Sequence, residues 1–145
     1  MDVNVIVLYV LPLPLFFIFV IVMGLRAKAK GLRRRKEYLA AQWHQLQAAV
    51  AHGRSEGAHL LQVVQVYQKA RTGSKAIITW CDSGQQQDAW FANQYVADGQ
   101  FLLVRAASGY GPHTGNPNVL FVHPQDVRAS ADPWAAHAAA ALRKR

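Results

Sequence analysis

The residues able to do chemistry are few and far apart along the chain. Cys81 is the single cysteine, and a thiol nucleophile would need His113 or His123 brought to it by folding. Cys81 ends the run KAIITWC and reads more simply as a small apolar residue at the end of a strand. His113, His123 and Asp126 carry ligand atoms, but their spacing matches no standard metal site. The sequence holds no phosphate-cradling glycine loop, no GxSxG elbow, no HExxH and no CxxC. Asp82 and Asp98 each precede turn residues and suit Asx-turn chemistry. Asp88, beside Trp90 and Phe91, has no assigned role beyond solvation. These residues predict a protein that is not an enzyme and that needs no cofactor and no metal.

Binding chemistry is better represented. Residues 108–118 (SGYGPHTGNPN) make a longer connection than a small β domain needs, and long ordered loops are more often functional. The loop carries Tyr110 and His113 on a backbone stiffened by Pro112 and Pro117. Together with Trp90 and Tyr95 they form the expected partner-binding surface; the competing explanation is that these aromatics merely cover one end of the domain. A second feature is charge. The chain carries 16 basic against 8 acidic residues, a net charge of +8. Seven of the basic residues (Arg26, Lys28, Lys30, Arg33, Arg34, Arg35 and Lys36) crowd into one stretch. Anionic lipid headgroups are their expected contact. Nucleic acid is the weaker alternative, with Lys75 and Arg105 as further phosphate contacts and aromatics for stacking.

The elements that must position these groups follow from patterning. Residues 3–25 are uncharged and apolar apart from Asn4, long enough at ~1.5 Å per residue to cross a ~30 Å hydrocarbon layer. Residues 1–25 are therefore expected to be a transmembrane anchor, kinked near residues 11–15 by Pro12 and Pro14. No lysine or arginine precedes the run, which argues against a cleaved signal peptide. Basic residues follow it, so the positive-inside rule predicts a single-pass cell-membrane protein with its N-terminus outside and its C-terminus cytoplasmic. The alternative is an apolar helix buried inside a large assembly.

Residues 26–53 predict a basic amphipathic juxtamembrane helix ended by Gly53 at its C′ position. Leu39, Trp43, Leu46 and Val50 form its apolar stripe. That stripe is expected to pack on the chain's own domain; a homo-oligomer seam is the second reading. Beyond Gly57 the texture changes to short β-rich runs at 61–67, 75–81, 87–91, 101–106, 119–123 and 126–129. Residues 58–70 also fit a helical stripe, but their β-branched content favours a strand. Residues 54–130 thus predict a small mainly-β barrel, SH3-like or OB-like. Its expected core is Trp80, Phe91, Leu103, Val104, Phe121 and Val122. Residues 131–145 predict a short C-terminal helix with a basic tail, capped by Asp132 and opened by Pro133. The combined expectation is a non-enzymatic, membrane-anchored binding or assembly module that presents a cytoplasmic β-barrel to a protein partner. The alternatives are a membrane-tethered nucleic-acid-binding module and a structural subunit of a larger assembly.

Overall fold

The computed structural model describes residues 12–105 and 119–144, with side chains from residue 16 onward. Among the described residues one long helix, α1 (Pro12–Gly53), comes first. Pro12 and Pro14 fall in its first turn, where a missing N–H leaves no intrahelical bond unmade. The expected kink near 11–15 is thus where the described helix begins. The chain divides into two compact units, Met1–Arg35 and Lys36–Arg145. The last part of α1 therefore belongs with the sheet rather than with the helix before it.

The membrane topology is overturned. Among the described residues no helix is long and apolar enough to cross a membrane. The described uncharged part of α1 ends at Leu25, before Arg26. Residues 1–11 lie outside the described residues. A transmembrane helix at 1–25 is thus not supported, nor is the single-pass placement with an external N-terminus and a cytoplasmic C-terminus.

A 3-10 turn (Arg54–Glu56) follows, closed by Gly57 in the left-handed region at φ 75°. Gly53, expected at C′, is right-handed and buried; a Cβ there would lie 3.1 Å from both Ala58 and Leu103. Its role is close approach of helix to sheet. Among the described residues six strands come next: β1 (His59–Ala70), β2 (Gly73–Trp80), β3 (Gln86–Ala92), β4 (Phe101–Val104), β5 (Leu120–Val122) and β6 (Val127–Ala131). The helix α2 (Ala135–Arg143) ends the described chain, and the Trp134 N–H donates to Asp132 Oδ1 (3.0 Å) just before it.

The strands form one curled sheet in the order β5-β3-β2-β1-β4-β6. Its pairs are antiparallel except β3–β5, which is parallel. The SH3-like or OB-like barrel is corrected accordingly: the sheet is a mixed half-barrel with two edges, β5 and β6. The short runs do not close into a barrel, because β4 crosses to the far side of β1 and leaves β5 to pair with β3. The β1–β2 hairpin turns at Arg71-Thr72, with Ala70 opposite Gly73. Gly73 sits at φ 143°, and any Cβ would run into the Phe91 carbonyl oxygen, so only glycine fits.

Two apolar layers result. The inner one holds Leu61, Val63, Ile78, Trp80, Phe91 and Val104 among others. Trp80 Nε1 donates to Gln87 Oε1 (2.9 Å), so the indole is buried with its donor satisfied. The outer layer joins Leu46 to Ala58, Leu103, Ala131 and Ala135, with Trp43, Ala49, Val50, Leu60, Phe101 and Ala129 packed against them. Of the expected core, Phe121 alone is misplaced: it is 52% exposed while Leu120 and Val122 point inward.

Candidate functional site: the outer face of the sheet

Strand pairing defines what lies on the outer face. One row runs Ala131–Phe101–Gln62–Thr79–Gln86, the next Gln65–Ile77–Asp88, and a third Gln68–Lys75–Trp90–Phe121. Over β4, β6 and the first residues of β1 this face is covered. The stripe of Trp43, Leu46 and Val50 meets Leu60, Phe101, Leu103, Ala129 and Ala131 there, and Trp43 stacks edge-on against Phe101 at 5.1 Å. Gln42 Oε1 also accepts the Asp132 N–H (3.3 Å). The stripe predicted from spacing thus packs on its own domain, with Leu39 half-buried at its start.

Over β2, β3, β5 and the bulged part of β1, no described element covers the same face in this way. Phe121, Tyr67 and Val64 are 52%, 49% and 45% exposed, and Trp90, Ile77 and Lys75 are half-buried between them. None of the apolar side chains here joins either buried layer. Two β-bulges in β1, between Val63 and Gln65 and between Val66 and Gln68, produce this density. Val63 is buried in the inner layer and Val66 packs against it, so the intervening Val64 and Gln65 are displaced to the outer side. The second bulge does the same for Tyr67. Its hydroxyl donates to Asp88 Oδ1 (2.9 Å), bridging over β2 to β3. That bond, with some desolvation and the carboxylate charge, raises the Tyr67 pKa above its ordinary 10.0. Asp88 therefore has a partner that the sequence did not disclose.

The predicted binding residues are placed unevenly. Trp90 lies in this strip beside Phe121. Tyr95 lies elsewhere, exposed, its hydroxyl donating to the carbonyls of Ala70 (3.2 Å) and Arg71 (3.4 Å) at the β1–β2 turn. Tyr110 and His113 lie outside the described residues. The basic residues Arg26, Lys28, Lys30, Arg33, Arg34, Arg35 and Lys36 are all exposed on α1. At about 100° per residue, Arg26, Lys30 and Arg33 share one side while Lys28 and Arg35 lie opposite, so they form no single basic face. Lys75 is on β2 within the strip, whereas exposed Arg105 follows β4, its N–H bound to the Asp126 carbonyl (2.9 Å).

The residues considered for catalysis or metal binding have local roles. Asp126 Oδ2 accepts the His123 N–H (2.9 Å), forming the cap of a 3-10 turn (Pro124–Asp126). Cys81 is exposed, yet partial desolvation of its thiol and the adjacent Asp82 carboxylate push its pKa up, which disfavours the nucleophilic thiolate. Asp82 instead meets His59 Nδ1 (3.3 Å) and Arg54 (3.5 Å), tying the end of the helix to the turn after β2. Asp98 Oδ1 accepts the Val66 N–H (2.7 Å) at the second bulge. Among the described residues no group of three or more metal-ligating side chains occurs.

Sequence reasoning found Trp90 and missed Phe121, Tyr67, Val64 and Ile77. Alternation across Leu120-Phe121-Val122 was the available signal for Phe121, hidden because all three residues are apolar. No signal marked the bulges. Comparison with known proteins gives no match: no family model fits the sequence, and neither a curated protein nor a solved structure is similar enough to count.

Proposed function

We propose that this chain is a non-enzymatic binding module that engages a protein partner through the outer face of β2, β3, β5 and the bulged part of β1. The observation that carries this reading is the exposure of Phe121, Tyr67 and Val64 around half-buried Trp90 and Ile77. Contiguous apolar patches with a polar rim mark interaction sites far more often than scattered surface residues do. Here glutamines 62, 65, 68 and 86 and the pair Lys75 and Asp88 supply the polar groups. Large aromatics of this kind anchor protein interfaces. The near balance of charge on the strip suits a protein surface better than a polyanion, which argues against nucleic acid as the occupant.

The start of the described helix supports the assembly part of the same reading. Phe16, Phe17, Ile18, Phe19, Ile21 and Leu25 are each more than half exposed. A helix apolar all round is stable only when surrounded, so a subunit of a larger assembly is the second reading that an observation favours.

A photoreactive phenylalanine at position 121 of the full chain, expressed in cells of the source organism, tests the proposal. Discrete protein adducts are expected from position 121 and from position 67, and none from position 128 on the β6 edge. Identical patterns from 121 and 128 would overturn it.

A further inference from the structure

We infer that the occupant of the uncovered strip is an amphipathic α-helix of the protein partner, one that carries an acidic side chain facing Lys75. This rests on the binding reading above and names what that face receives. Three observations point the same way. The first is width: β2, β3 and β5 lie side by side with the bulged part of β1 at their border, and at ~4.8 Å per strand they make a strip roughly 14–19 Å wide. A helix with its side chains is about 10–12 Å across, so one helix covers most of the strip.

The second is continuity. The other half of this face already accepts a helix, with residues spaced by three and four (Trp43, Leu46, Val50) seated on Phe101, Leu103 and Leu60. The uncovered half repeats that surface chemistry with Phe121, Trp90, Ile77 and Val64, and the bulges crowd two side chains of β1 onto it. A helix with the same apolar spacing meets both halves by one packing rule.

The third concerns the edge. Strand addition would need a long unpaired edge beside the strip, and among the described residues β5 offers only Leu120–Val122, the short end of strand length. Charge narrows the helix further. Lys75 stands between Gln68 and Trp90 in the same row, and Asp88 is bound to the Tyr67 hydroxyl. An ammonium partly desolvated by the incoming helix calls for a carboxylate partner.

The test presents immobilised full chain with two displayed libraries, one of helix-constrained amphipathic peptides and one of alternating strand-forming peptides. Helical binders with an apolar i, i+3, i+4, i+7 stripe are expected to dominate. Phe121→Asp should weaken them roughly 30-fold or more, Arg128→Asp should leave them unchanged, and Lys75→Glu should be rescued by exchanging the peptide acid for lysine. Circular dichroism confirms that each variant is folded, with Tyr67→Glu replacing any that is not. Enrichment of strand peptides on the same face would overturn the helix while leaving the binding reading intact. Phe121-dependent dimers of the chain, with no peptide bound, would make the occupant a second copy and overturn it too. If neither library binds, no dimer forms and position 121 gives no adduct in cells, both readings fall together.

Discussion

Phe101 and Phe121 stand on the same face of one sheet, and their surroundings could hardly differ more. Phe101 is half-buried beneath α1, its ring edge-on to Trp43 at 5.1 Å. Phe121, on the opposite edge strand, is 52% exposed. The difference lies in what the chain itself can supply. The last turns of α1 carry one apolar stripe, and that stripe is spent on β4, β6 and the first residues of β1. Burying a phenylalanine typically stabilises by about 1.5–3 kcal/mol, so an exposed aromatic strip next to a covered one leaves that stabilisation unused. A partner that covers the strip recovers it at the moment of binding, less the cost of association.

The comparison breaks most visibly if the inner layer fails to support both halves alike. Trp80 is 2% exposed and hydrogen-bonded, and Trp80→Ala should cost ~3–5 kcal/mol and abolish the sheet in denaturant melts. Loss of only one half would mean that the halves fold separately. Leu46→Ala comes next. Leu46 is 1% exposed in the outer layer, and its truncation should cost about 2–5 kcal/mol, with amide exchange rising across the last turns of α1. The paired substitutions Phe101→Ala and Phe121→Ala sharpen the contrast: about 3 kcal/mol for the first and within ~0.5 kcal/mol for the second. Equal costs in thermal melts would erase the distinction between covered and uncovered faces.

The smallest effect is ionic. Tyr67 donates to Asp88 across the strip, and its pKa is raised above 10.0 by that bond first. The protonated phenol is the favoured form in the fold. Its contribution is therefore fully present below pH 10 and lost as pH rises through the higher folded value. Asp88→Asn should move the Tyr67 titration back toward 10.0, followed by NMR of the ring carbons. An unmoved titration would show that Asp88 is not the cause.

Several elements of this arrangement were legible in the sequence, though the barrel expected from them was not. The spacing of Leu39, Trp43, Leu46 and Val50 gave a helix face and, correctly, its own domain as the target. Valine-rich 61–67 gave β1. The strand order was not legible, because turn signals report chain reversal and say nothing of which strand lies beside which. Apolar residues 3–25 read as one span predict a membrane crossing, whereas among the described residues no helix is long and apolar enough to cross a membrane. The site was half legible. Trp90 carried an aromatic signal, but Tyr67 and Val64 reach the face only through bulges, which depend on pairing and leave no mark in the sequence.

Hydroxyl-radical footprinting, read residue by residue on the purified chain and again in intact cells, tests the central claim most directly. In the purified chain Phe121 and Tyr67 should oxidise readily while Phe101 and Trp43 are spared. In cells Phe121 and Tyr67 should become protected and Phe101 and Trp43 should not change. Oxidation of Phe121 and Tyr67 at the same rate in both settings would contradict the claim that this face is completed by a partner.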